Sequence, residues 1–410
     1  RGASGGSKSS YSIGQGGGAL VLIDGVEGDL SQVNPEDVES VSVLKDASSS
    51  VIYGAKAAYG VILVTTKTAK TEKVSISYNG SYSINSRTVK WEDNIITDGL
   101  SFLENFYEHW LGNTATPEKE GSRPTKINLY NIPSDYLELY REHMANGGGQ
   151  KTEVINGNYV YFGYNENYLE KFYKNTNGTQ THNISVSGAS DKVSYNISGR
   201  YYTQDGIYKI GKEDYNAYNM RSKINVKIND WLSFDNNTSM YKMKYVQPLF
   251  SKGYSGGVGS QLFQIAMAGF PIVPTNNEDG TYTYPAAAAG YGGFADGNSG
   301  QTDNRFTFTT SLGLTLEPIK DVLKVRGDVS YKHTVSGKDR YIAPVSYSAG
   351  PGSLSYYAKP EDSYLQEQAY KAQHLTANVV ATWTPKLGDN HDLNFVAGWN
   401  LEDYHYSART

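Results

Sequence analysis

From residue 74 onward, apolar and polar side chains alternate along much of the chain. In the first such segment Val74, Ile76 and Tyr78 share one parity, while Ser75 and Ser77 share the other. A period of two with one apolar face predicts a half-buried β-strand. The same alternation recurs in segments whose apolar parity includes Ile197, Ile224, Leu312, Val329, Val379 and Trp399.

The alternating segments predict about nine strands, the first near residues 74–85 and the last near residues 391–405. Many of the runs last roughly 10 to 12 residues, close to the ~9–11 residues that cross a bilayer as a strand. Strands of soluble proteins are usually shorter, at about 5–6 residues. Their length therefore favours membrane-spanning strands over an ordinary soluble sheet, which would alternate in the same way.

The connections between the predicted strands are alternately long and short. Long connections are predicted over 86–180, 203–216, 247–304 and 335–369. Short turns are predicted over 189–192, 229–230, 318–321 and 385–390. Short turns at one end and long loops at the other are typical of outer-membrane barrels, whereas a sandwich has no reason to keep that order.

Charged residues in the predicted strands agree with a barrel. Arg221, Lys223 and Lys227 share one parity, opposite to Ile224 and Val226. A cation that faced lipid near the midplane would cost up to about 2–4 kcal/mol. We therefore expect all three cations to face the lumen, and we expect aromatic residues near strand ends, such as Phe306 and Trp383, to face the membrane interface.

Residues 19–66 follow a different pattern, typical of a small α/β unit. Residues 19–23 form a short apolar run that Asp24-Gly25 ends with a turn. Asn34-Pro35 predicts a helix start, because Asn is a favoured N-cap and Pro fits the first helical position. A strand is predicted around Val41 and Val43, a second short helix from Asp46 to Gly54, and a further strand over 60–66.

Composition narrows the class of protein. The chain has 410 residues, a formal net charge of -5, no Cys and a mean hydropathy of -0.52. The mild charge gives no sign of a nucleic-acid partner, and the lack of Cys excludes disulfides, zinc-thiolate sites and thiol catalysis. No run of ~18 apolar residues predicts a transmembrane helix. The chain opens on Arg1-Gly2 without a signal peptide, so we expect a fragment of a longer exported precursor.

Candidate catalytic and metal motifs are weak. Residues 2–9 approach a Walker A loop, but Ser7 stands where the last Gly belongs and no strand precedes it. The seven His residues include no i, i+4 pair and no HExxH motif. The segment ending in Asp279-Gly280 lacks the alternating oxygen ligands of a calcium loop. We therefore expect no catalytic residue, no metal site and no cofactor, and we do not expect an enzyme.

The long predicted loop over 247–304 is rich in aromatic side chains among Gly and Pro. Aromatic faces stack on the apolar faces of sugar rings, so these residues are candidates for ligand contact. The alternative is that they pack the loop against neighbouring loops or a partner. The candidates are Tyr254, Tyr282, Tyr284, Tyr291 and Phe294.

The residues of the α/β unit carry a resemblance to a known family. Leu22-Ile-Asp-Gly-Val26, residues 33–47, Ile52-Tyr-Gly54 and residues 57–67 resemble the C-terminal half of the plug domain of TonB-dependent receptors, in the version of the SusC/RagA group. Residues 183–188, 195–207, 218–227 and 270–274 resemble the early barrel strands of that group. The plug-motif positions are Asp24, Gly25, Asn34, Pro35, Lys45, Asp46, Tyr53, Gly54 and Gly60.

The resemblance implies a mainly β fold, with the end of a plug over 1–70 and the first strands of a barrel of roughly 22 strands over 71–410. It further implies active import across the outer membrane of a Gram-negative, Bacteroidota-type bacterium. The implied partners are a SusD-like lipoprotein, the TonB-ExbB-ExbD complex, and an oligosaccharide or peptide cargo. A passive porin or a surface glycan-binding protein without energy input is the alternative, and a soluble β-rich adhesion module is a third class.

Overall fold

The computed structural model describes residues 19–45, 59–69, 72–113, 123–128, 130–249, 264–385 and 393–410. The predicted second helix between Asp46 and Gly54 lies outside the described residues, as do Tyr53 and Tyr254. Within the described part, the chain forms a small sheet near its N-terminus, a large antiparallel sheet and a set of folded connections.

The small sheet contains four strands in the order β2-β1-β4-β3. Its strands are β1 (Leu20–Ile23), β2 (Val26–Glu27), β3 (Val38–Leu44) and β4 (Val61–Thr66). β1 runs parallel to β4, whereas β3 is antiparallel to β4. Buried Leu22 and Val61 form the centre of its core. The three strands predicted in this region are confirmed.

Turn chemistry sets the connections of the small sheet. Asp24 and Gly25 both have positive φ, 49° and 89°, which the two-residue turn between β1 and β2 requires. The Asn34 side chain accepts a hydrogen bond from the Glu36 backbone N–H at 3.2 Å. The predicted cap is therefore present, but the helix after it is a single 3-10 turn (Pro35–Asp37), because β3 begins at the next residue.

The large sheet contains nine strands in the described part of the chain, and each strand pairs antiparallel with its neighbours. The mainly β fold and the expected number of barrel-type strands are confirmed. The strands are β5 (Ser75–Ser86), β10 (Thr176–Ala189), β11 (Val193–Asp205), β12 (Asp214–Lys227), β13 (Leu232–Pro248), β14 (Gly300–Ile319), β15 (Leu323–Ile342), β18 (Tyr364–Trp383) and β19 (Phe395–Arg409).

Among the described residues the connections alternate between long and short, as the sequence predicts, and the predicted turn over 385–390 lies almost entirely outside them. Turns over 190–192, 228–231 and 320–322 join strands at one end, and segments over 87–175, 206–213, 249–299 and 343–363 join them at the other. The predicted strand ends are wrong in several places. Val335 to Ile342 pairs with Tyr364 to Lys371, although this region was predicted as loop. Backbone pairing continues past the point where the apolar alternation stops.

The two faces of the large sheet differ in chemistry. Ile76, Ile184, Met220 and Leu312 are among the large apolar side chains exposed on one face. The other face carries the polar parity and lies against the small sheet. Hydrogen bonds of the polar face to the small-sheet region come from Asn79, Asn196, Asn219 and Lys332.

The long connections fold together into a body that we call the loop domain. It contains α1 (Gly99–Asn113), α2 (Tyr136–Ala145), α3 (Tyr168–Phe172) and α4 (Tyr284–Ala289). It also contains the hairpins β6–β7 (Lys126–Ile127, Tyr130–Asn131), β8–β9 (Lys151–Ile155, Asn158–Phe162) and β16–β17 (Val345–Tyr347, Ser355–Ala358). Among the described residues, no helix is long and apolar enough to cross a membrane.

Candidate site at the contact between the two sheets

Asp24 lies in the turn between β1 and β2 and joins that turn to the end of β4. Its carboxylate accepts hydrogen bonds from the Thr66 backbone N–H at 3.0 Å and from the Thr66 hydroxyl at 2.5 Å. Each Thr66 donor bonds a different oxygen of the carboxylate, so both oxygens of Asp24 join the turn to β4. Asp24 is thereby held in a fixed position facing the polar side of the large sheet.

Two cations and one amide of the large sheet meet the same carboxylate. Lys223 Nζ lies 3.1 Å from Asp24 Oδ1, and Arg221 Nη1 lies 3.4 Å from Asp24 Oδ2. Asn237 Nδ2 donates to Asp24 Oδ2 at 2.6 Å. The strand period of two places Arg221 and Lys223 on one face, so the predicted lumen parity of both residues is the parity that contacts the small sheet.

A second carboxylate completes this group. Asp37 Oδ2 lies 3.9 Å from Arg221 Nε, and Arg221 Nη1 also donates to Asn237 Oδ1 at 2.9 Å. We call Asp24, Asp37, Thr66, Arg221, Lys223 and Asn237 the inter-sheet cluster. Its two carboxylates balance its two cations, and the side chains of Arg221 and Lys223 are only 12% and 16% exposed.

The two carboxylates respond differently to burial. Burial acts to raise the pKa of Asp24, but hydrogen bonds from Thr66 and the Lys223 charge outweigh it, so this pKa lies below its usual value. Burial raises the pKa of Asp37 above its usual value, because the opposing bonds from Ser198 and the Arg221 charge are weaker. Asp24 is therefore the firmly ionised centre of the inter-sheet cluster.

Around the inter-sheet cluster, the contact between the sheets is polar. Asn219 Nδ2 donates to the Gln32 carbonyl at 2.7 Å, and Asn79 Nδ2 donates to Glu36 Oε1 at 3.3 Å. A cavity of about 40 Å³ lies between the sheets, lined in part by Gln32 and Asn219. A contact made of hydrogen bonds can separate into water at modest cost, unlike an apolar core, because water replaces each bond.

Several of the plug-motif residues predicted from the sequence lie in the turns that form this contact. Asp24 and Gly25 form the β1–β2 turn, and Asn34 and Pro35 begin the 3-10 turn that presents Asp37. Gly60 has φ of 93°, and a Cβ there would meet the Leu44 carbonyl oxygen at 2.8 Å, so only glycine fits. Lys45 directly follows β3; Asp46, Tyr53 and Gly54 lie outside the described residues.

Two of the predicted loop aromatics are buried. Phe294 is 0% exposed and Tyr284 is 7% exposed, both within the core of the loop domain. Tyr208 packs edge-on against Phe294 with ring centroids 4.7 Å apart. Their burial fits packing, the alternative stated for these aromatics, and ligand contact by Tyr284 and Phe294 stays a prediction.

Tyr282 and Tyr291 are only partly buried at the edge of the same core. The Tyr282 hydroxyl donates to the Asp296 carboxylate at 2.8 Å, and burial with this neighbouring charge raises the pKa of Tyr282 to about 12. Its ring lies 5.8 Å from that of Tyr291. Ligand contact by these two rings stays a prediction, and Tyr254 lies outside the described residues.

Sequence reasoning missed several residues that the structure brings together. Thr66 and Asn237 complete the inter-sheet cluster. The one sequence feature that could have indicated either is the parity of Asn237, which places it on the same face as Lys223. In the loop domain, the Tyr161 hydroxyl donates to Asn277 Oδ1 at 2.5 Å, and the Tyr168 hydroxyl donates to the Val273 carbonyl at 3.1 Å. Each of these tyrosines lies more than 100 positions along the chain from its partner, so no periodic pattern marks the contact.

Comparison with known proteins agrees with the two-sheet architecture. Residues 1–61 match the family model described as TonB-dependent Receptor Plug Domain. The chain is 32% identical over 192 residues to the TonB-dependent receptor SusC of Bacteroides thetaiotaomicron. The aligned region covers 45% of this chain and 18% of that protein. It is 27% identical over 267 residues to the TonB-dependent receptor P3 of Formosa agariphila, over 65% of this chain and 21% of that protein.

A solved structure shows the same fold over nearly the whole chain. The RagAB peptide importer in its closed-closed state matches with a TM-score of 0.67 and 22% identity, over 96% of this chain and 42% of that chain. The chain thus spans about a fifth of the length of the curated relatives and under half of the solved chain.

Proposed function

We propose that this chain, which belongs to the SusC/RagA-type TonB-dependent transporters, forms the plug contact and early barrel strands of an importer in the outer membrane. The small sheet is then part of the plug, the large sheet is part of the barrel wall, and we place the boundary between the two domains near residue 70. The imported solute crosses when the plug moves relative to the wall.

The inter-sheet cluster is the observation that carries this proposal. A plug that has to move needs a contact strong enough to hold it in place at rest and polar enough to be separated by an applied force. Charge-balanced hydrogen bonds meet both needs, because water and lumen side chains can replace each bond after separation. A fixed structural domain would be better served by an apolar interface.

We propose a hydrated polar cargo, an oligosaccharide in the first place and a peptide as the second possibility. The wall face that meets the plug carries Arg, Lys, Asn and Ser side chains, which suit a solute that forms many hydrogen bonds. The peptide possibility gains support from the solved neighbour, which is described as a peptide importer. Tyr282 and Tyr291 are the candidate ligand contacts that remain at the surface of the loop domain core.

The proposed partners follow from the same family. We propose a SusD-like lipoprotein beside the loop domain and the TonB-ExbB-ExbD complex as the source of force. The proposed location is the outer membrane of a Bacteroidota-type bacterium, as in the bacteria of the curated relatives. We propose no enzymatic role, because the matching family model and relatives are described as receptors.

The second candidate function is a passive porin or a surface glycan-binding protein without energy input. The small sheet is evidence against this second function, since a passive pore gains nothing from an α/β unit that is bonded to its lumen face. The two functions differ in their need for energy, and this difference can be measured directly.

The test is uptake of labelled oligosaccharide or peptide by cells that carry the full-length protein, before and after the proton gradient is collapsed. We expect uptake to stop while binding of the same solute to the cells persists. Cells without the protein give the background. Uptake that continues at the same rate without the gradient would support the passive alternative and exclude the proposed function.

A further inference from the structure

Three side chains with metal-ligating atoms, none of them in the inter-sheet cluster, meet at the boundary between plug and wall. They are Glu27 of β2, His374 of β18 and Glu402 of β19. One ligand atom from each lies within 4.8 Å of the other two. The three residues come from three strands, and the first is separated from the others by most of the chain.

Strand parity explains how the wall supplies two of the three. His374 has the parity opposite to Leu375 and Val379, which places it on the lumen face of β18. Glu402 pairs with Thr376 in the register of β18 and β19, one step along the same face from His374. Neighbouring residues on one face of adjacent strands are within reach of each other's side chains.

The plug supplies the third group from the β1–β2 hairpin. Lys332 Nζ of the wall donates to the main-chain carbonyl of Glu27 at 3.1 Å and so fixes the position of this hairpin edge. Within the wall, His374 Nε2 lies 2.6 Å from Glu402 Oε1, and the side chain of His374 is 12% exposed. The arrangement therefore already brings imidazole and carboxylate together in a partly buried place.

We propose that Glu27, His374 and Glu402 form a binding site for a divalent transition-metal ion such as Zn²⁺. The set offers one imidazole nitrogen and two carboxylate oxygens, which are the ligand types that Zn²⁺ takes beside thiolate. The two carboxylates together balance the charge of a divalent ion. A fourth position stays open to solvent or to a further ligand, as in open zinc sites.

The geometry requires only side-chain adjustment. Ligands about 2.0–2.1 Å from a tetrahedral Zn²⁺ stand roughly 3.3 Å apart. The His374–Glu402 pair would have to open from 2.6 Å, and the wider separations within the 4.8 Å limit would have to close. Glutamate has several rotatable bonds, so both carboxylates can make this change without moving the strands.

A metal ion at this place would join the plug hairpin to the wall. Because two ligands belong to the wall and one to the plug, binding favours the docked plug over a separated one by mass action. Metal binding itself does not depend on the proposed transport function, so the two ideas can fail separately. The sequence could not reveal the site, because the spacing of histidines along the chain does not show which distant strands come into contact.

The first experiment measures metal binding by the full-length protein in detergent, after removal of metal with a chelator. Titration calorimetry with Zn²⁺ should show about one site, and elemental analysis after dialysis should recover about one equivalent. His374→Ala should weaken binding at least about tenfold, since even loss of an outer-shell partner costs 10–100-fold. Glu27→Gln should weaken binding without changing the wall.

His182→Ala is the matched control. His182 is also a histidine of the wall, but it stacks with Tyr78 and Tyr201 on the outer face, with ring centroids 6.3 Å from each. We expect this variant to bind Zn²⁺ like the parent. Comparing the unfolding temperatures of all variants without metal shows whether any loss of binding merely reflects misfolding.

The second experiment measures hydrogen exchange of the β1–β2 hairpin with and without Zn²⁺. Slower exchange of residues 20–27 in the parent, and no change in His374→Ala, is the expected result. The proposal is overturned if Zn²⁺ fails to bind, if His374→Ala binds as tightly as the parent, or if the hairpin exchanges at the same rate with bound metal. The three residues would then form only an ion-paired contact.

Discussion

The Asp24 side chain contacts residues of both sheets. Its two oxygens receive Thr66 from its own sheet and Lys223, Arg221 and Asn237 from the wall. Removing one member of a buried charged group leaves the others without compensation, which costs more than the intact group contributes. The plug should therefore be sensitive to single substitutions here.

Replacing Asp24 with Ala in the full-length protein should destabilise docking of the plug by about 3–5 kcal/mol, because Arg221 and Lys223 would remain partly buried beside Asp37 alone. Faster hydrogen exchange across β1 and β4 is the measurement. Asp230→Asn is the control, since Asp230 also pairs with a wall lysine, Lys227 at 2.7 Å, but its side chain is 97% exposed. We expect little change there, because an exposed pair contributes little. Equal effects in the two variants would contradict the role given to Asp24.

The residue scale also shows what the sequence could reveal. Parity alone placed Arg221 and Lys223 on the lumen face, because a cation facing lipid is too costly. It could not name their partner, since Asp24 lies 197 positions from Arg221. The family resemblance marked Asp24 as a motif position, and only the folded chain shows which wall residues it meets.

At the scale of elements, strand identity was predicted better than strand ends. The described wall strands run 12 to 20 residues, beyond the alternating runs that revealed them. Apolar alternation is imposed by lipid on one face, so it ends where the membrane ends. Hydrogen bonding between strands has no such limit, and polar residues carry β15 and β18 onward to Ile342 and Tyr364.

The helices and hairpins of the loop domain were not predicted at all. Its core is built from tyrosines of several connections, with Tyr136, Tyr140, Tyr161 and Tyr168 almost fully buried. The Tyr136 hydroxyl donates to the Tyr161 carbonyl, which satisfies a polar group inside the core. Such a core needs no regular spacing along the chain, so periodicity could not reveal it.

The loop aromatics yield a prediction at this scale. Replacing Tyr282 with Ser should lower affinity for an oligosaccharide or peptide cargo, if its ring stacks on the ligand, while the loop domain stays folded. Phe294→Ala should instead destabilise the loop domain by about 3–5 kcal/mol, because its ring is fully enclosed. Cargo titration and thermal unfolding of the full-length variants separate the two effects.

Unchanged cargo affinity in Tyr282→Ser, and likewise in a variant that replaces Tyr282 and Tyr284 together, would exclude the ligand role. The aromatics would then serve packing alone. A loss of affinity accompanied by an equal loss of loop stability would also speak for packing. Tyr291→Phe is a useful control, because it keeps the ring in place and removes only the hydroxyl.

The two faces of the wall make two different kinds of contact. Exposed apolar side chains cover one face of the wall, while the other face holds the small sheet through charges and hydrogen bonds. The described sheet ends at β5 and β19, and unpaired strand edges cannot face lipid. Transport is therefore a property that we assign to the full-length protein and not to these residues alone.

If the plug has to separate from the wall for import, a reversible cross-link between the two should stop uptake. These 410 residues contain no Cys, and Gln32→Cys with Asn219→Cys introduces a thiol pair at a contact where the Asn219 amide reaches the Gln32 carbonyl at 2.7 Å. Neither residue belongs to the inter-sheet cluster. Each single-Cys variant, treated in the same way, is the control.

Labelled cargo uptake is measured in energised cells after the pair is joined by a short reducible thiol cross-linker. We expect that uptake stops in the cross-linked protein, that cargo still binds, and that reduction restores uptake. Full uptake by fully cross-linked protein would contradict this expectation, because import would then proceed with the plug fixed to the wall.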